Sequence, residues 1–168
     1  MSDQESTTIE WTARVRCNER TLGGSFSVLI FLGPIPDDPK DWNVSPSFVG
    51  KHSIFTSGRS GYGSSEQSPG TTDKRTEGFI ALNQALEASH VSSLREEDVI
   101  PYLHDNLDWR IKKVNGAAVP ISDLPSLEVD VLSTVFERGP PGQPNPIGAP
   151  RHHHEITSGR PGGHQANL

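Results

Sequence analysis

Between Ile9 and Cys17 the apolar residues fall on every second position. Ile9, Trp11, Ala13, Val15 and Cys17 alternate with Glu10, Thr12, Arg14 and Arg16. That period of two belongs to a strand with one buried face, because successive strand side chains point to opposite sides of a sheet. The buried face needs a second layer, and the sequence supplies one in further strands. Phe26–Leu32 ends in a continuous apolar run, which implies that both of its faces are covered. Gly33-Pro34-Ile35-Pro36-Asp37-Asp38-Pro39 must then leave the sheet, since proline cannot feed a ladder.

A third strand is expected at Val49–Thr56, followed by a long polar loop over 57–76 and a short strand at Glu77–Leu82. Ser93-Leu94-Arg95-Glu96 fits a capping box, and Pro101 is expected to limit the helix that follows to about two turns unless it starts at Asp98. Leu107–Val114 and Ala117–Ile121 flank Asn115-Gly116, a strong hairpin signal with a type I′ turn in view. Leu127-Glu128-Val129-Asp130-Val131 alternates cleanly as the last strand. The expected fold is all-β, an antiparallel β-sandwich or barrel-like domain of roughly seven strands with one short helix.

The chain has 168 residues, enough for one domain with a self-sufficient core. Its hydrophobic share of 32% is low and its 16 Gly and 14 Pro are many, so part of the chain is expected to stay unpacked. Residues 1–7 read as a disordered lead and 8–138 as the folded domain. Residues 139–168 hold six Pro, six Gly and four of the seven histidines. Such a composition buries little apolar surface to offset ordering entropy, so a disordered C-terminal tail is expected.

A net charge of −6 argues against nucleic acid or an anionic membrane surface as a partner. Cys17 is the one cysteine, so there is no intrachain disulfide and no Cys-x-x-Cys pair. The polar start Met1–Ser6 is no signal peptide, and Val28–Leu32 is far short of the ~20 apolar residues that span a bilayer. The expectation is a soluble cytoplasmic protein.

Chemistry has few candidates. His52, His90 and His104 are unrelated in spacing, and no His-Glu-x-x-His, Walker loop, Gly-x-Gly-x-x-Gly or Gly-x-Ser-x-Gly occurs. His152-His153-His154, with His164 beyond, is the one metal-like cluster. Imidazoles suit copper, zinc or nickel, but neighbours on an extended chain point to opposite sides, so a closed site requires the segment to fold round the ion. A weak adventitious site is the expectation, and no cofactor is assigned.

Several blocks taken together resemble a known family. They are Trp11–Arg16, Leu22–Gly33, Pro36–Trp42, Phe48-Val49-Gly50 and Leu107–Ile111, with Gly148–His154 and Gly159–Gly163 near the end. They are similar to the C-terminal domain of fungal tyrosinases (polyphenol oxidases), without the catalytic half. The resemblance implies a latency lid that covers the copper site of a catalytic domain and puts an aromatic side chain in the substrate position. By position that placeholder is Phe55, in Ser53-Ile54-Phe55-Thr56, with Ile54 and Tyr62 as neighbours in the binding stretch. Where relatives carry Cys-x-x-Cys for copper handling, this chain reads Gly58-Arg59-Ser60-Gly61-Tyr62-Gly63-Ser64-Ser65, which puts that route in doubt.

With three histidines in the expected folded part and little expected helix, no copper pair can be assembled, so the chain is read as a non-enzyme. The Met1 start and acidic lead favour a free-standing protein. The first functional reading is a binding module that docks on a tyrosinase catalytic domain. The alternative is a carrier of an aromatic small molecule, a phenol- or indole-derived pigment, in a pocket drawn from Trp11, Trp42, Trp109, Tyr62 and Tyr102.

Overall fold

The computed structural model describes residues 7–56, 75–89, 91–137 and 143–165. The alternating run forms β1 (Thr7–Asn18), with Trp11, Ala13, Val15 and Cys17 buried on one face. β2 (Phe26–Leu32), β3 (Phe48–Ile54), β4 (Arg75–Ala81), β5 (Leu107–Lys113), β6 (Ala118–Val119), β7 (Glu128–Glu137) and β8 (Asn145–His152) follow. They form two antiparallel sheets, ordered β4-β1-β7-β8 and β3-β2-β5-β6. The sheets face each other and do not close, so the fold is the sandwich and not the barrel.

The core lies between the two sheets. The inward residues of β1 and β7 (Val129, Val131) meet those of β2 (Phe26, Val28, Ile30) and β5 (Leu107, Trp109, Ile111). The doubly covered character of β2 has a second cause. Leu29 and Phe31 turn outward, and the proline-rich excursion returns over them, burying Trp42 edge-on to Phe31. A 3-10 turn at Pro39–Val44 carries Trp42 there, its first turn capped by the Asp38 carboxylate, which accepts from Lys40 N–H at 2.9 Å.

Two α-helices stand where one short helix is expected. α1 (Asn83–Ala88) buries Leu86, and α2 (Glu96–Asn106) runs through Pro101. Burial of Val99 and Leu103 on either side of Pro101 offsets the hydrogen bond that proline cannot make. The capping box also differs. Ser93 Oγ accepts from Arg95 N–H and donates to the Asp98 carboxylate at 2.6 Å, so Asp98 and not Glu96 is its partner.

The Asn115-Gly116 hairpin forms, but with three loop residues. Lys113 N–H donates to Ala117 O and Gly116 N–H to Lys113 O, each at 2.8 Å. Gly116 supplies the left-handed step that ends the loop, at φ 93°.

The largest departure is the C-terminal segment, expected to be disordered. β8 pairs antiparallel with β7, and the chain after it turns inward at His153, Ile156 and Thr157, all three buried. Every side chain of β8 itself is exposed, so it carries no apolar alternation. Its order comes from the backbone ladder and from the buried anchors that follow. As the edge strand it also tolerates Pro146 and Pro150. Thr7, assigned to the lead, begins β1. Among the described residues no helix is long and apolar enough to cross a membrane.

Candidate functional site

Two places gather the residues singled out by sequence. The first is the end of β3. Ile54 is buried opposite Phe26, and Thr56 N–H donates to Ser25 Oγ at 2.9 Å. Phe55, between these two anchors, is 79% exposed. A large apolar ring is therefore held in solvent by a backbone fixed on both sides. Tyr62 lies outside the described residues, as does the 58–65 stretch.

The second place is the outward face of the β4-β1-β7-β8 sheet. Register sets Arg14 opposite Asp130 and Arg16 opposite Glu128. Arg16 Nη2 bonds Glu128 Oε1 at 2.8 Å, whereas Arg14 Nη2 stays 3.6 Å from Asp130 Oδ2, beyond hydrogen-bond reach. Asp130 is wholly buried, because His152 and the turn after it cover it. His154 Nδ1 lies 3.0 Å and His152 Nδ1 3.4 Å from the same oxygen, Asp130 Oδ2. His164 stacks on His154 with ring centroids 3.6 Å apart, and its Nδ1 is 2.9 Å from Glu128 Oε2 at an angle that makes no hydrogen bond. Burial pushes the Glu128 carboxyl up. Hydrogen bonds from Arg16 and the Gln165 backbone, with the charges of Arg16 and His164, outweigh this and hold it below the usual range.

His153 takes the opposite side, as alternation along an extended chain demands. It is buried against Trp11, with ring centroids 4.9 Å apart, and its Nε2 is 2.8 Å from Ser133 Oγ. The histidine run is thus split: His152 and His154 face the carboxylate, and His153 serves the core. Asp130, the group that unites them, is not distinguished by the sequence. Its outward position is readable from the β7 alternation, but what covers it depends on a pairing with β8 that no local signal announces.

The aromatic residues offered as pocket lining are placed elsewhere. Trp11, Trp42 and Trp109 are buried core residues whose indole N–H groups donate to the carbonyls of Leu94, Pro36 and Pro161. Tyr102 packs half-buried against the core. An open groove between β3, β4 and α1 is lined instead by Phe48, Val49, Ala81 and Ala85, among others. Cys17 faces the core, where burial and then the Glu19 charge push its thiol up to about 11.

The histidine arithmetic also changes. The C-terminal histidines belong to the folded part, so a shortage of imidazoles no longer argues against a copper pair. Among the described residues, His52 on β3 and His104 on α2 lie outside the group at Asp130, and the ligand atoms that converge come from two histidines and one carboxylate.

Comparison with known proteins gives one family. The sequence profile of the tyrosinase C-terminal domain matches residues 10–131. The tyrosinase of Neurospora crassa is 34% identical over 165 residues, covering 92% of this chain and 23% of that protein. The tyrosinase of Podospora anserina is 38% identical over 64 residues, covering 38% of this chain and 10% of that protein. The chain therefore spans less than a quarter of the length of these relatives. Recombinant mushroom tyrosinase shares the fold, with a TM-score of 0.62 at 18% identity, over 89% of this chain and 25% of that one. With the profile covering most of the sandwich, the chain belongs to the tyrosinase C-terminal domain family.

Proposed function

We propose that this chain is a non-catalytic shielding module that docks over the mouth of a tyrosinase copper site and sets Phe55 where a phenol would bind. Family membership supports the partner, and the exposure of Phe55 on an anchored strand end is the observation that carries the reading. A phenyl ring offers the shape and apolar faces of a phenol without the hydroxyl that oxidation requires, so it fills the site unreacted. The module acts by occupancy, and the chain itself performs no phenol oxidation.

The test is inhibition in trans. An active fungal tyrosinase catalytic domain, mixed with increasing amounts of this chain, loses diphenol oxidation in a saturable way, and Phe55→Ala weakens that inhibition while the fold persists. Unchanged activity at high micromolar chain overturns the docking. Equal inhibition by Phe55→Ala overturns the placeholder and leaves the docking.

A further inference from the structure

We propose that Asp130, His152 and His154 form a binding site for one borderline divalent metal ion, of the Zn²⁺ class, that clips the C-terminal segment to β7. This does not rest on the shielding role. The three ligand atoms lie within 4.8 Å of one another and come from two separate stretches of chain. The separations also fit. Ligands at ~2.0–2.1 Å around a tetrahedral zinc sit about 3.3 Å apart, and the two Nδ1 atoms are 3.0 and 3.4 Å from Asp130 Oδ2. Two imidazoles and a carboxylate are the donor set that zinc and its neighbours accept, with a fourth position left for water.

The surroundings supply the supports that metal ligands usually have. Asp130 Oδ1 accepts from Val131 N–H at 2.9 Å, which fixes the carboxylate plane. Stacking on His164 fixes the His154 ring. The His152 and His154 side chains are 38% and 44% exposed, so an ion reaches the site from solvent while its carboxylate stays dry. Arg14 is the opposing charge. It stands 3.6 Å from Asp130 Oδ2 without bonding it and leans also toward Glu77 at 3.8 Å, so its charge is shared between two acids. With no ion present the two rings hydrogen-bond the carboxylate, His154 Nδ1 at 3.2 Å from Oδ1 and His152 Nδ1 at 3.4 Å from Oδ2, and a cation between the rings takes the place of those shared protons.

Isothermal titration and native mass spectrometry of the full chain, stripped with a chelator and then given Zn²⁺, test the site. The expected result is one equivalent per chain and a rise in thermal midpoint with Zn²⁺. His152→Ala/His154→Ala weakens binding by at least about 100-fold and removes the thermal shift. His104→Ala, which changes an exposed histidine elsewhere, leaves both intact. Should the double variant fold poorly, His152→Asn carries the same expectation, because that ring is partly exposed. No saturable uptake at millimolar Zn²⁺ overturns the proposal, and so does equal uptake by the folded variants.

Discussion

The Arg160 guanidinium lies 4.4 Å from the centroid of the Trp109 ring, and the indole N–H of that ring donates to the Pro161 carbonyl at 3.0 Å. Arg160 also donates to the Leu107 carbonyl at 2.6 Å. These contacts fasten the C-terminal segment to β5, in the sheet opposite the one that β8 extends. Gly162 completes the approach: it sits at φ 79°, and a Cβ there would come within 2.6 Å of the indole nitrogen.

Ending the chain after Gly142 therefore uncovers Trp109, hands its N–H from Pro161 to water and removes buried Ile156 and His153. Restored exposure of one large apolar side chain costs about 1.5–3 kcal/mol, and exchange of the indole bond to Pro161 for one to water about 0.5–1.5 kcal/mol. The truncated chain should unfold at markedly lower urea, with Arg160→Ala alone losing about 1 kcal/mol. A truncation that keeps the full-length midpoint would mean that the segment does not hold the sandwich together.

Gly78 on β4 faces His52 on β3, where the edges of the two sheets meet. A Cβ on Gly78 would fall within the space of the imidazole ring, so the absence of a side chain is what lets that ring lie there. Gly78→Ala should cost about 1–3 kcal/mol through overpacking. Adding His52→Ala to that variant should recover part of the loss, since the two substitutions share one contact. Strict additivity in a double-mutant cycle would refute the clash.

The strands legible in the sequence are those that bury a face by alternation. β1 and the start of β7 could be placed because Trp11, Ala13, Val15, Val129 and Val131 report their own environment. β8 could not, because all its side chains are exposed and its stability comes from the β7 backbone and from buried residues beyond its end. Composition pointed the wrong way there, since Pro and Gly are compatible with an edge strand as well as with disorder. The same gap hid the candidate metal site. The histidines were visible, but Asp130 acquires meaning only through a pairing that joins residues 22 and 24 positions apart in the chain. Phe55 had no local signal of its own, and its exposure is a fact of the fold.

Stability should fall on mild acidification. Burial holds the His153 imidazole below its usual pKa, against the opposing pull of Glu96, Glu155 and Asp130 and with a smaller push from Arg151. Burial lowers His52 as well. A histidine whose folded pKa is depressed binds its proton more readily when unfolded, so its contribution is full above the unfolded value and is lost as the pH falls through the interval below about 6.5. Glu128 acts in a separate, more acidic window. Its carboxyl is lowered in the fold, so its contribution is present above the unfolded carboxylate value and lost as the pH falls through the folded one. Urea midpoints across pH 8 to 4 should decline in that order, and His153→Gln should flatten the first decline. A midpoint that rises between neutral pH and pH 5 would contradict the sign.

Ile54 and Phe55 are chain neighbours with opposite surroundings, and their alanine variants should separate folding from recognition. Ile54 is 3% exposed and packs into the core, so Ile54→Ala should cost about 2–5 kcal/mol through the cavity it leaves. Phe55 has most of its surface in water, so Phe55→Ala should stay within about 0.5 kcal/mol of the parent. The prediction concerns the free chain and is read by chemical denaturation, with no tyrosinase present. If Phe55→Ala destabilised the chain as Ile54→Ala does, the ring would have a structural post of its own, and its loss of inhibitory effect could no longer be assigned to the missing phenyl group. If it leaves the midpoint in place, any change in docking belongs to the ring.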